Sequence, residues 1–231
     1  TVGAILEEPF IIHTTKDRQE RKQAVEELLE KVGLPKNCIE KYPHEFSGGQ
    51  RQRIGIARAI ALNPELVICD EPVSALDVSV QSQILNLLLE LQKEMNLAIL
   101  FIAHDLSVVK HVSDRVCVMY LGKIVEESTG SGLYQQPHHP YSQFLIDAIP
   151  VPDPSRDKKH SRIRGELPSP IHPPSGCHFH TRCPLAQEKC RESRPELLVQ
   201  VSNHHMAACH RIEDSLKQWE LIWASSKENA R

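Results

Sequence analysis

From Thr15 to Val32 apolar residues recur three and four positions apart, with Val25, Leu28, Leu29 and Val32 on one face and Gly33 and Pro35 as stops. That spacing predicts a helix. A short helical piece is expected around Asn37 to Tyr42, followed by a loop at Ser47-Gly48-Gly49. Gln50 to Leu62 reads as a second helix, with Ile54, Ala57, Ile60 and Ala61 on one side and Asn63-Pro64 ending it. Leu66 to Cys69 is a continuous apolar run, which predicts a strand buried on both faces of a parallel sheet. Val78 to Met95 predicts a strong helix with Ile84, Leu87, Leu88 and Leu91 on its buried stripe. Leu97 to Ala103 is the next buried strand, with His104-Asp105 at its end. Asp114 to Tyr120, Leu121-Gly122 and Lys123 to Glu127 read as a hairpin. Strand, helix, strand, helix and a hairpin indicate an α/β sheet domain.

After Ile149 the pattern changes. Pro150, Pro152, Pro154, Pro168, Pro170, Pro173 and Pro174, with charged residues among them, describe an extended linker. Tyr141, Phe144, Leu145 and Ile149 form an apolar helical face just before it, expected to pack on the sheet domain. Beyond the linker, Cys177, Cys183, Cys190 and Cys209 gather in the last quarter, and seven of the 13 histidines lie between His160 and His210. This shift marks a second unit over about Ser175 to Arg211, and Ile212 to Ser225 is expected to close with a helix. The implied divisions are 1–128, 129–174 and 175–231.

At 231 residues the chain suits one or two domains. A net charge of −3 gives no reason to expect nucleic acid as a partner. The longest strongly apolar run, Leu97 to Ala103, is too short to span a bilayer. No basic and apolar leader opens the chain, so its seven cysteines are expected as reduced thiols or metal ligands rather than disulfides.

The candidate chemistry lies between Phe46 and His104. A glycine pair opening a helix exposes backbone N–H groups at the positive end of the helix dipole, which suits a phosphate. Ser47 adds a hydroxyl donor and Gln50 a side-chain amide. Strand-end Asp70 is placed to hold a Mg²⁺ ion, and Glu71 beside it to polarise an attacking water or accept its proton. His104, at the end of the next strand, is placed to donate to a terminal phosphate. Any one of these alone reads equally well as ordinary loop, strand end or structural histidine. In this order they point together to nucleotide chemistry. No Gly-x-x-x-x-Gly-Lys-Ser/Thr phosphate loop occurs in the 231 residues.

These motifs resemble the nucleotide-binding domain of ABC transporters. Phe46 to Gln50 is similar to the family signature, with Phe46 in place of the usual leucine, and Leu66 to Glu71 looks like Walker B with its catalytic glutamate. Ser74, Ala75, Leu76 and Asp77 look like the D-loop, and His104 like the H-loop histidine. His139-Pro140-Tyr141 and Gly165 to Pro170 resemble the C-terminal extension of oligopeptide and dipeptide importer subunits, carrying the match past residue 210. The resemblance implies a partial P-loop NTPase (ABC ATPase) sheet domain with a helical subdomain and a small Cys-rich extension.

In such a family two subunits sandwich two ATP molecules head to tail. Ser47, Gly48, Gly49 and Gln50 would then face nucleotide held by a partner ATPase subunit, while Asp70, Glu71 and His104 serve nucleotide on this chain. The further partners implied are two transmembrane permease subunits, expected to dock near the Val25 to Leu29 helix, and indirectly an extracytoplasmic peptide-binding protein. The expected location is peripheral, on the cytoplasmic face of the membrane. The chain starts at Thr1 in mid-pattern and is expected to be the later part of a longer protein whose Walker A and Q-loop lie upstream. Alone, it is expected not to hydrolyse ATP.

Cys177-x5-Cys183-x6-Cys190-x18-Cys209 offers four thiolates, enough for a closed zinc site or an iron–sulfur cluster, with free thiols as the alternative. His178, His180, His204, His205 and His210 lie close enough in sequence to substitute for a ligand. The resemblance tilts the choice to a 4Fe–4S cluster, with Zn²⁺ as runner-up. Two other readings are a non-catalytic metal-binding or regulatory module lending its signature loop to a partner, and a soluble ABC ATPase of DNA repair or translation. The latter is disfavoured because no long coiled coil or basic stretch occurs.

Overall fold

The computed structural model describes residues 1–149, 165–202 and 204–228 and divides into two units, Thr1–His104 and the chain from Asp105 onward. Most of the proline-rich linker, including Pro150, Pro152 and Pro154, lies outside the described residues.

The first unit begins with a helix absent from the sequence expectation, α1 (Val2–His13), capped by the Thr1 hydroxyl and carrying Pro9 within it. Its buried positions Val2, Leu6 and Phe10 are four apart, a helical signal that Pro9 obscures. Helix α2 (Arg18–Lys31) starts three residues later than the apolar pattern suggests, because Asp17 caps it. The Asp17 carboxylate accepts from the N–H groups of Gln19 and Glu20, and the Glu20 carboxylate accepts from the Asp17 N–H at 2.7 Å. The short helical piece is a 3₁₀ turn at Lys36–Glu40. Helix α3 (Gly48–Ile60) and strand β1 (Leu66–Asp70) follow. Helix α4 (Val78–Met95) has the expected bounds and ends at Asn96, whose φ of 52° breaks the helix, before strand β2 (Ala98–Ile102).

Strands β1 and β2 pair in parallel, in register from Leu66 opposite Ala98 to Asp70 opposite Ile102. The expectation that both strands are buried on both faces is corrected. Val67 and Cys69 are buried, whereas Leu66, Ile68, Leu100 and Ile102 are 53%, 62%, 51% and 45% exposed. Strand side chains alternate between faces, and only one face of this two-stranded ladder is covered.

The second unit runs through α5 (Leu106–Val112), β3 (Arg115–Tyr120), β4 (Lys123–Thr129), α6 (Gly130–Gln135) and α7 (Pro140–Asp147). It continues with α8 (Glu188–Glu192), β5 (Leu198–Ser202), β6 (His205–Ala207) and α9 (Ile212–Glu228). The expected hairpin is β3–β4; its turn residues Leu121 and Gly122 both have positive φ, 44° and 73°, matching the right-handed twist of the strands. Its antiparallel sheet has the order β3-β4-β6-β5, with Glu126 opposite Ala207 and Glu127 opposite Met206. The hairpin and strand β6, which lies between Cys190 and Cys209, thus share one sheet within the second unit. Helix α7 packs within this second unit: the rings of Tyr141, Phe144 and Tyr120 surround Phe179, which is 1% exposed.

Candidate functional site

In the first unit three turns carry the expected residues. Ser47 is the N-cap of α3; its hydroxyl oxygen accepts from the Gln50 N–H at 3.3 Å, and the Gln50 side-chain oxygen accepts from the Ser47 N–H at 3.0 Å. This capping box uses the acceptor ends of both side chains and leaves the Ser47 O–H and the Gln50 amide NH₂ as donors. Gly48 and Gly49 form the first turn of α3, where backbone N–H groups are unpaired within the helix. Both expected donors are therefore retained.

Asp70 and Glu71 stand at the carboxyl end of β1, both exposed. Glu71 has φ of 47°, its N–H donates to the Ile102 carbonyl at 3.0 Å, and its own carbonyl accepts from the Ser74 hydroxyl at 3.1 Å. Hydrogen bonds from both sides hold the left-handed residue in place. His104, just beyond β2, brings Nδ1 to 3.2 Å from Glu71 Oε1. Parallel neighbouring strands bring together two groups that are 33 residues apart in the chain. Asp77 caps α4, accepting from the Val80 N–H at 3.0 Å and the Ser79 hydroxyl at 2.8 Å. The Ser79 hydroxyl and the Val80 N–H hold its carboxyl below the ordinary carboxylate range. Ser74, Ala75 and Leu76 make the turn between β1 and α4, with the Leu76 N–H donating to Val73.

In the second unit the four cysteines line one small cavity together with His139, Pro140, Phe179, His180 and His210. Burial pushes the Cys183 thiol up to about 11 and the Cys209 thiol up to about 12, and raises Cys177 as well. The donor set suits a soft metal, but the cavity is only about 10 Å³, roughly the room one water needs. Among the described residues no group of three or more His, Cys, Asp or Glu is arranged to hold a metal ion. The thiols converge without forming a coordination shell.

A buried polar node that the sequence reading did not single out lies beside this cavity. Glu126 of β4 is fully buried and its carboxylate accepts from the backbone N–H of His138 at 2.6 Å and of His139 at 2.9 Å, and pairs with His205 Nε2 at 2.7 Å. Burial pushes the Glu126 carboxyl up, but His205 and the two amides outweigh it and hold it below its ordinary value. The His138 ring stacks on His205 with centroids 3.9 Å apart. Burial pushes His138 down to about 4, with His205 adding to the effect, and pushes His139 to about 4 as well. Gln143 of α7 donates to Pro137 and to Ser215 of α9, closing the corner. Alternation along β4 places Glu126 and Ser128 on one face, but nothing in the local sequence says that this face is the inner one.

A family model described as "ABC transporter" matches residues 1–74, and one described as "Oligopeptide/dipeptide transporter, C-terminal region" matches residues 125–190. The chain is 55% identical over 216 residues to the "Oligopeptide transport ATP-binding protein OppF" of Salmonella typhimurium, covering 92% of this chain and 64% of that protein. It is 56% identical over 212 residues to the "Oligopeptide transport ATP-binding protein AppF" of Bacillus subtilis, covering 91% and 64%. The chain thus spans about two-thirds, 64%, of the length of these curated relatives. A solved ATP-binding cassette dimer in a post-hydrolysis state with ADP and phosphate is 30% identical over 56% of each chain, with a TM-score of 0.49.

Proposed function

We propose that this chain belongs to the ABC transporter ATP-binding proteins of the oligopeptide and dipeptide type, to which it is similar in both matched regions, and that it works in an ATP-driven subunit energising import of oligopeptides or dipeptides. The observation that carries this reading is the Glu71–His104 pair at the ends of adjacent parallel strands, 3.2 Å apart. Glu71 orients a water against the terminal phosphate and takes its proton. His104, at the end of the adjacent strand, is placed to donate a ring N–H to a terminal phosphate oxygen. The Ser47 O–H, the N–H groups of Gly48 and Gly49 and the Gln50 NH₂ converge at the positive end of α3 on the phosphates of nucleotide held by a second ATPase subunit. Asp70 is the carboxylate that would hold Mg²⁺, which when bound neutralises phosphate charge. The Ser74 to Asp77 turn lies along the same dimer interface.

This 231-residue polypeptide holds no phosphate loop, so on its own it binds ATP weakly and does not turn it over, the phosphate cradle and its lysine supplying most of the positive field. Its partners are a second ABC ATPase subunit, alike or identical, and two transmembrane permease subunits, with a peptide-binding protein acting through them. Among the described residues no helix is long and apolar enough to cross a membrane, in keeping with a peripheral place on the cytoplasmic face. Cys177, Cys183, Cys190 and Cys209 are the residues that would hold an iron–sulfur cluster, or a zinc ion; a cluster would require the four thiols to move apart from the one-water cavity they line, and either group would cross-link the segment. Brown colour with stoichiometric iron supports the cluster, and a colourless protein with stoichiometric zinc supports the alternative.

The test is co-purification from cells expressing the chain with peptide permease subunits. Recovery of both membrane subunits with the chain supports the energising role. A stable chain carrying metal, with neither nucleotide affinity nor membrane subunits, supports instead a metal-binding regulatory module, the reading favoured by the thiol cavity alone.

A further inference from the structure

The first turn of α3 carries two glycines, each of which costs about 1 kcal/mol relative to alanine inside a helix. The structure gives a packing reason beyond phosphate approach. A Cβ on Gly49 would collide with Cγ1 of Val80, and a Cβ on Gly48 would lie 3.1 Å from Cδ2 of Leu76. Val80 sits in the first turn of α4, where a β-branched side chain is held to one χ1 rotamer and cannot swing aside. The neighbouring Gln81 donates its side-chain amide to two carbonyls of the preceding turn, Val73 at 3.1 Å and Leu76 at 3.0 Å. Gln81 thereby fixes the loop that carries Leu76, and Leu76 with Val80 forms the surface against which the glycine turn rests.

We propose that Val80 and Gln81 are positioning residues that lock the Ser47–Gln50 turn to the Ser74–Asp77 turn, so that the two face nucleotide as one rigid unit. The functional part rests on the nucleotide reading above; the mechanical part rests on the interlock alone. A side chain at residue 81 that touches neither turn's nucleotide-facing atoms would thus govern a segment some 30 positions upstream. Motion of the turn after β1, where Glu71 follows the strand, reaches the α3 N-terminus through the same contact.

The mechanical part is read by amide hydrogen exchange in the full 231-residue chain, with the β2 amides as internal reference. Gly49→Ala is expected to speed exchange at the bonded amides of Gln50 and Arg51 by about tenfold, and adding Val80→Ala to restore it to within about threefold of the parent. Gln81→Leu, which removes the two amide bonds, is expected to speed exchange both at Leu76 and at Gln50 and Arg51. A Gln81→Leu effect confined to residues 73–77, or failure of Val80→Ala to relieve Gly49→Ala, overturns the proposal. The functional part is read on the chain assembled with a phosphate-loop-bearing partner ATPase. There Gln81→Leu is expected to lower kcat about tenfold with KM for ATP within about twofold. A fall only in proportion to lost assembly overturns the positioning role. If the parent assembly shows no turnover while the exchange coupling holds, the nucleotide reading fails and the interlock stands.

Discussion

Glu71 meets a backbone demand and, on the proposed reading, a chemical one at the same position. Its φ of 47° lies where a non-glycine residue costs about 1 kcal/mol, and it persists because Ile102 and Ser74 bond its backbone. Glu71→Gly is expected to stabilise the first unit by about 0.5–1 kcal/mol, read as a raised melting temperature, whereas Glu71→Gln stays within about 0.5 kcal/mol of the parent. Glu126 presents the opposite case, a buried charge held by partners on three sides. Glu126→Gln is expected to cost the second unit about 3 kcal/mol in denaturant titrations, since it removes a buried charge that accepts from two amides and leaves those donors and the His205 ring poorly matched. The two histidines beside it add a pH dependence of known sign. Held near 4, below the ordinary 6.5, His138 and His139 bind protons more readily unfolded than folded. Their contribution is complete above about 6.5 and is lost as pH falls toward 4. Fluorescence of Trp219, in α9, is expected to report destabilisation of the second unit beginning below about pH 6.5.

At the scale of elements, what was legible followed local rules. The stripe Ile84, Leu87, Leu88 and Leu91 gave α4 its bounds, the face of Ile54, Ala57 and Ile60 gave α3, which starts at Gly48 rather than at the expected Gln50, and the apolar runs placed β1 and β2. What was missed depended on context. Pro9 hid α1, and α5 is too short for its periodicity to stand out. The pairing of β4 with β6 joins residues about 80 positions apart, and no local pattern encodes it. The approach of Glu71 and His104 was legible because both were placed at the ends of neighbouring strands; the Glu126 node was not, because an inward-facing carboxylate looks like any other in an alternating strand. The open face of the β1–β2 ladder was misread for a related reason, since an apolar run announces burial without saying what provides it. Leu66, Ile68, Leu100 and Ile102 there form an exposed apolar stripe, a self-association hazard. Ile68→Thr with Leu100→Thr is expected to shift sedimentation profiles of this chain toward monomer and to change stability by less than about 1 kcal/mol.

At the scale of the whole molecule, one unit carries groups suited to nucleotide and the other carries thiols and a buried charge node. The first unit offers donors at the α3 N-terminus and a carboxylate–histidine pair at the strand ends, and no Gly-x-x-x-x-Gly-Lys-Ser/Thr run occurs in the 231 residues. On the proposed reading the chemistry is shared between subunits, and the 231-residue chain by itself is a partial site. The most direct measurement is magnesium-dependent ATP turnover by the purified chain alone, run beside its Glu71→Gln variant. The expected result is the same background rate for both. Turnover by the parent chain that Glu71→Gln abolishes would contradict the account.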